Sequence, residues 1–214
     1  MMASLPLNNW LPFALAIGGY LIGSVPFGIV VSRCLGFPDP RTAGSRNIGF
    51  TNVLRVSGKK SGALTLIGDM GKGWAVGWLA TQTMDHEAWV LGIALCPVLG
   101  HLFPVFLGFQ GGKGVATAIG AVGGVAPLIG LELIAIWLLT AALWRYSSGA
   151  ALAAFCSLPL LGILAGRGEL FLVFSLIVAG LVGVRHKGNM ARLWHGTEPK
   201  IGEASSLHNT SYQT

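Results

Sequence analysis

Long uncharged stretches alternate with short polar ones along the chain. Residues 10–32, from Trp10 to Ser32, carry no charge and are long enough to cross a bilayer. A polar stretch over 33–61 follows, with six basic residues: Arg33, Arg41, Arg46, Arg55, Lys59 and Lys60. Residues 62–81 form a second span, interrupted by Asp69 and Lys72, and end at the acidic turn Asp85-His86-Glu87. A third span covers 88–107 and is broken by Pro97, Gly100 and Pro104. The loop 108–114 carries Lys113, and residues 115–144 are then apolar apart from Glu132. Further spans cover 149–166 and 170–184, and everything from Arg185 onward is polar. No period-2 alternation runs through the chain, which argues against an outer-membrane β-barrel. The pattern predicts an all-α integral membrane protein, with one polytopic domain over 1–200 and a polar tail over 201–214.

The stretch 115–144 decides the topology. A single helix of that length would be about 45 Å long, against a hydrocarbon core of about 30 Å. Gly123-Gly124-Val125-Ala126-Pro127 offers a break near its first third. Two segments give seven spans; one gives six. With seven spans and the N-terminus on the periplasmic side, twelve of the fourteen basic residues face the cytoplasm, leaving Arg167 outside and Lys72 within a span. Six spans would send Arg145 and the basic tail outside. The excess of Lys and Arg in cytoplasmic loops favours seven, with the C-terminus in the cytoplasm.

Composition sharpens this picture. Of 214 residues 53% are hydrophobic and only 10% charged, far below the ~25% of an average soluble domain. Fourteen Lys and Arg against eight Asp and Glu give a formal charge of +6. In so apolar a chain this excess reads as cationic cytoplasmic loops rather than a nucleic-acid surface. The first charged residue is Arg33, so no basic segment precedes the first apolar stretch, which argues against a cleaved signal peptide. Three scattered cysteines supply neither a disulfide framework nor a metal site. The 32 glycines let membrane helices approach closely, but several cluster in polar loops, where that reading does not apply.

Three polar clusters fall on one membrane face in the seven-span arrangement. The first runs from Ala43 to Arg55. Gly44 and Gly49 free backbone N–H groups, Ser45, Asn47, Thr51 and Asn52 add neutral donors, and Arg55 adds a planar fork suited to phosphate. Such a loop can form an anion-binding nest; a helix cap followed by a surface turn fits the same residues. The second is Gly111-Gly112-Lys113-Gly114-Val115-Ala116-Thr117. It is not an ATPase P-loop, because Gly114 follows Lys113 and no strand precedes it. It remains a glycine loop opening a helix, where phosphate binds well, or a juxtamembrane lysine reaching for headgroups. The third is Arg185-His186-Lys187-Gly188-Asn189 with Arg192 and Gly196-Thr197-Glu198. His186 and Asn189 face one side if the helix continues. Together the clusters suit an anionic, phosphate-bearing ligand beside the bilayer.

These residues resemble the PlsY family, the acyl-phosphate:glycerol-3-phosphate acyltransferases of bacterial inner membranes. The likeness runs from Gly23-Ser24-Val25-Pro26 to Glu198. It is carried by Gly44 to Arg55, by Gly100-His101-Leu102-Phe103-Pro104-Val105-Phe106 with Gly111 to Thr117, and by Arg185-His186, Asn189, Arg192-Leu193 and Gly196-Thr197-Glu198. Asp69 and Lys72-Gly73 match as well. Two departures stand out: the family usually has Gly where Arg46 stands and Ala where Phe50 stands. The resemblance implies seven spans with the active site facing the cytoplasm. It also implies transfer of a fatty acyl group from acyl phosphate to the 1-hydroxyl of glycerol 3-phosphate. Lysophosphatidate and phosphate are the products, in the first acylation of phospholipid synthesis. It implies no metal, nucleotide or other cofactor, and no obligate protein partner.

No histidine has Asp five positions on, and no Gly-x-Ser-x-Gly elbow occurs. Acyl phosphate is already activated, so positioning and charge stabilisation can suffice. The expectation is direct attack by the glycerol hydroxyl. Ser45, Asn47, Thr51, Asn52 and the N–H groups near Gly49 would hold the acyl-phosphate headgroup. Arg55, Lys113 and the Gly111-Gly112 backbone would meet phosphate charge. His186 and Asn189 would stabilise the oxyanion or orient the hydroxyl, with His186 favoured as a hydrogen-bond donor; a general-base His186 and an acyl-Ser45 intermediate stay open. Arg192 and Lys200 read as solvated tail charges. Two rivals use the same donors: an anion or phosphate-ester transporter, which should show internal repeats that are not seen here, and a non-enzymatic headgroup sensor.

Overall fold

The computed structural model describes residues 10–203, and every regular element among them is helical. In order these are α1 (Leu11–Ser24), α2 (Phe27–Cys34), α3 (Phe50–Thr83), α4 (Glu87–Leu102), a 3-10 turn (Val105–Leu107), α5 (Val115–Val125), α6 (Pro127–Trp144), α7 (Ser147–Leu164), α8 (Glu169–Arg185) and α9 (Lys187–Trp194). Three segments are long and apolar enough to cross a membrane, Glu87–Leu107, Pro127–Trp144 and Ser147–Leu164. The count rises to five if the bent pairs α1–α2 and α8–α9 each make one crossing. Leu128, Leu131, Leu139 and Leu143 of α6 are all exposed, an apolar outer face suited to lipid.

Each break has a local cause. Pro26 lacks an N–H and forces Val25 into extended backbone. The expected continuous span over 10–32 is therefore bent by 46°. Pro127 ends α5 in the same way, so 115–144 divides at Ala126, within the stretch where a break was expected. At the last exit α8 and α9 meet at 64° across His186. The polar stretch 33–61 is less of a loop than its composition predicts. It turns helical at Phe50, and α3 continues for 34 residues through a kink at Gly58, where φ is 80°.

α3 is the spine, packing on α1, α2, α4 and α5. Its contact with α5 is backbone to backbone. A Cβ on Gly73 would overlap the Thr117 carbonyl, one on Gly120 would overlap the Met70 carbonyl, and Gly77 and Gly124 repeat the arrangement one turn on. Small residues four apart on both helices allow this approach. The dry core around Val98, Leu102, Val122, Phe155, Leu158 and Val182 lies where α4, α5, α7 and α8 converge. Ile201 extends this packing: its N–H donates to the Arg145 carbonyl, and the Arg145 guanidinium donates back to the Ile201 carbonyl. The rest of the expected tail, 204–214, lies outside the described residues.

Candidate active site

A cavity of about 270 Å³ collects the polar clusters at one end of the bundle. Its polar end is built from Ser45, Asn47, Gly49, Thr51, Asn52 and Arg55 at the entrance to α3, Lys113 before α5, Ser147 and Ser148 at the start of α7, and His186 and Asn189 at the α8–α9 junction. Leu66, Met70, Ile119, Ile134, Trp137 and Leu138 make an apolar wall. Phe50, the second departure from the family pattern, also lines it. Among the described residues no three His, Cys, Asp or Glu side chains converge as metal ligands.

The 43–52 loop is held by one buried amide. Asn52 Nδ2 donates to the carbonyls of Pro40 (2.8 Å), Asn47 (2.9 Å) and Ala43 (3.2 Å), and its Oδ1 accepts the Ser45 N–H at 2.8 Å. Asn52 is thus committed to the loop: both Nδ2 hydrogens are spent on carbonyls, so it has no donor left for an anionic ligand. Asn47 Oδ1 accepts the Gly49 N–H at 3.1 Å, ordering the entrance to α3. Thr51 pairs with Ser147 at 2.8 Å, which joins α3 to α7. Ser45 is exposed and Arg55 half-buried. Neither side chain makes a hydrogen bond or ion pair among the described residues, so both are available.

The glycine loop is held from two sides. Arg185 donates from Nη2 to the Gly111 carbonyl at 2.6 Å and from Nε to the Gly112 carbonyl at 3.0 Å. The Gly112 N–H donates to the His101 carbonyl at 3.1 Å. Gly111 and Gly112 therefore do not reach the cavity wall, and the Gly112 N–H is spent. The expected phosphate cradle reduces here to Lys113, whose height the two glycines set. Burial lowers the Lys113 ammonium to about 8; Glu198 opposes this, while Arg192, Arg185 and Arg55 add to it.

At the third cluster, Glu198 is buried and ties the site together. Its Oε1 accepts from Ser148 Oγ and from Asn189 Nδ2, both at 2.6 Å, and its Oε2 accepts from Arg192 Nε at 2.7 Å. Burial alone would raise the Glu198 carboxyl, but these three donors outweigh it and hold it below the ordinary range. Arg192 is exposed, as expected from its position, but it is more than a solvated tail charge: it pairs with a buried carboxylate.

His186 is 2% exposed. Its Nδ1 lies 2.8 Å from the Val182 carbonyl. A carbonyl only accepts, so Nδ1 carries the proton and Nε2 is left with a lone pair. Burial brings the imidazole down to about 4, so it is neutral at physiological pH. The sequence favours a donor role for His186; held this way, a neutral His186 has an acceptor, Nε2, as its remaining ring nitrogen.

Comparison with known proteins bears on this arrangement. The family model described as "Glycerol-3-phosphate acyltransferase" matches residues 13–196. The chain belongs to that family. It is 46% identical over 198 residues to a glycerol-3-phosphate acyltransferase of Bordetella pertussis, covering 89% of this chain and 92% of the relative. It is likewise 46% identical to one of Cupriavidus necator, over 90% and 97% of the two chains. Among solved structures it is similar to the integral membrane glycerol 3-phosphate acyltransferase PlsY. The glycerol 3-phosphate form of that protein gives a TM-score of 0.86 at 38% identity, over 90% of this chain and 96% of that one. Its lysophosphatidic acid form gives 0.84 at 37%, over 89% and 95%.

Four residues of the site went unread as such in the sequence. Ser147 and Ser148 look like the polar end of an apolar stretch, yet they open α7 directly against Thr51 and Glu198. In the sequence Glu198 is only the acid of a basic cluster. Arg185 reads there as one more cation, whereas its work is to hold two carbonyls. The usable signal was the acid itself: a single Glu among basic residues at a membrane exit needs partners.

Proposed function

We propose that this chain transfers a fatty acyl group from acyl phosphate to the 1-hydroxyl of glycerol 3-phosphate, releasing lysophosphatidate and phosphate. The observation that carries the reading is one cavity with two chemistries. Free cationic groups, Arg55 and Lys113, stand at one end and an apolar wall at the other, which suits substrates that pair phosphate with a long chain. The relatives' acceptor, glycerol 3-phosphate, and the acyl-phosphate donor enter on family likeness.

The chemistry is a direct displacement. The glycerol hydroxyl oxygen bonds to the acyl carbonyl carbon, the acyl carbon–oxygen bond to phosphate breaks, and phosphate leaves with the electron pair. His186 Nε2 accepts the hydroxyl hydrogen bond and orients the attack. A group with a pKa of about 4 is a weak base, so the departing phosphate is the final proton acceptor. Asn189, with one N–H on Glu198, presents its other to the oxyanion. Arg55 and Lys113 neutralise phosphate charge in a partly dry site, where such contacts are worth most. Ser45 and Asn47 donate to the acyl-phosphate headgroup. Thr51, Asn52, Gly49, Gly111 and Gly112 hold these groups in place.

The same reading carries the topology: one membrane domain through residue 200, seven spans, a periplasmic N-terminus and a site open to the cytoplasm of a bacterial inner membrane. The basic-residue distribution and the division at Ala126 support it. Phosphate release by the purified protein, given acyl phosphate and glycerol 3-phosphate, tests the activity. Release that requires both substrates, with lysophosphatidate formed in equal amount, is expected. Glycerol 3-phosphate uptake into proteoliposomes without release would instead establish the transporter.

A further inference from the structure

Three ionisable side chains meet beneath the glycine loop, on the membrane side of the cavity. Lys72 Nζ lies 2.8 Å from Asp69 Oδ1, donates to the Val25 carbonyl at 2.8 Å and lies 3.0 Å from His101 Nδ1. All three residues are buried, at 5% exposure or less. Charges within apolar spans are costly, and a staple between helices needs no charge. Each contact has a consequence. The Val25 carbonyl lies at the bend before Pro26, where it also accepts the Phe27 N–H at 3.2 Å, so Lys72 fixes α1–α2 on α3. His101 Nδ1 faces both Asp69 Oδ1 at 3.4 Å and the closer Lys72 ammonium at 3.0 Å; a charged ammonium has no lone pair, so with that contact made Nδ1 accepts and Nε2 carries the proton. The ring then stands edge-on under the glycine loop, where a Cβ on Gly112 would overlap Nε2. The His101 carbonyl receives the Gly112 N–H. Lys113 is the next residue. Asp69 and His101 also line the cavity floor.

We propose that Asp69, Lys72 and His101 are positioning residues of the acyl transfer, an ionic platform whose histidine ring sets the height of the glycine loop and so of the Lys113 ammonium. The inference rests on the acyl-transfer reading above. Asp69 orients Lys72, Lys72 fixes the tautomer and tilt of His101, and the ring supports Gly112. Arg185 restrains the same two residues from above through their carbonyls. Lys113 is therefore held between α4 and α8 rather than carried on a free loop. Misplacing such a group by about 1 Å costs on the order of 100-fold in rate.

The test is a double-mutant cycle on phosphate release, with His101→Ala and Lys113→Ala made singly and together, alongside Gly112→Ala. We expect His101→Ala to lower kcat/KM about 10- to 100-fold when Lys113 is present and by less than about threefold when it is absent. Gly112→Ala sets a Cβ against His101 Nε2 and so parts the loop from the ring while keeping all three ionic side chains in the protein. It should reproduce the His101→Ala loss with thermal stability within a few degrees of wild type, and it serves if His101→Ala does not fold. Both variants should also move the alkaline limb of kcat/KM upward from about 8, because a displaced Lys113 regains water. Equal losses with and without Lys113, or an unmoved limb, would show that the platform only holds helices together. Absence of phosphate release by the wild-type protein would instead sink the acyl-transfer reading itself.

Discussion

At the residue scale, local backbone and local dielectric make separate predictions. Arg46 has φ of 58°, in the left-handed region that glycine occupies without penalty. The loop keeps that conformation because Asn52 grips it at three carbonyls. Arg46→Gly should therefore stabilise the protein by about 0.5–1 kcal/mol, read as a raised melting temperature in detergent. The residue's departure from the family pattern was visible in the sequence; its cost was not, since φ is unknown until the loop is built. Lys113 makes the second prediction. It is cationic below about 8 and loses its charge above, so kcat/KM should fall as pH rises through that value. Lys113→Arg keeps its charge at any pH reached and should flatten the fall. Arg55→Ala and Lys113→Ala should each lower turnover by roughly 30- to 1,000-fold, for about 2–4 kcal/mol of lost charge-assisted contact. Arg192→Ala, which exposes Glu198, should cost more than Lys200→Ala. A profile that stays flat to pH 9.5 would remove Lys113 from the phosphate site.

At the element scale, the division of 115–144 was legible because Pro127 lacks a donor and a 30-residue helix overshoots a bilayer. The bend at Pro26 rests on the same physics, but the run of uncharged residues through 10–32 hid it. The helical start at Phe50 was obscured for the opposite reason, because a polar composition reads as loop until tertiary contacts with α2 and α7 decide otherwise. The glycines on α3 and α5 were correctly read as packing residues, yet their pairing was not legible, since it depends on which two helices face each other. That pairing can be tested. Gly120→Val places a branched side chain against the Met70 carbonyl and should destabilise by about 1–3 kcal/mol or more. Gly180→Ala, which meets nothing within 4 Å, should be neutral. If the two variants unfold alike in a detergent titration, α3 and α5 are not in backbone contact.

For the whole molecule, the sequence clusters gave the composition of the site and the fold gave its order. Nine of the eleven residues expected at the site line one cavity. What sequence alone could not supply was the direction of each hydrogen bond: His186 Nδ1 faces the Val182 carbonyl and the Asn52 amide grips the loop around it. The proposed seven-span topology makes the large-scale prediction. After Cys34, Cys96 and Cys156 are replaced by Ser, a cysteine introduced at exposed Lys59 should be shielded from an impermeant thiol reagent in intact cells. One at exposed His86 should react. Reaction of both from the same side would refute the arrangement.

The buried carboxylate of Glu198 has a bearing on time as well as space. It lies beyond α9, yet it pairs with the first turn of α7 and of α9. A ribosome making this chain therefore delivers every cation and hydroxyl of the cavity before the acid that aligns Ser148, Asn189 and Arg192. Until that residue emerges, the nascent protein is a bundle with an unfinished pocket. A fragment stopping at Trp194 should insert and pack but lack turnover.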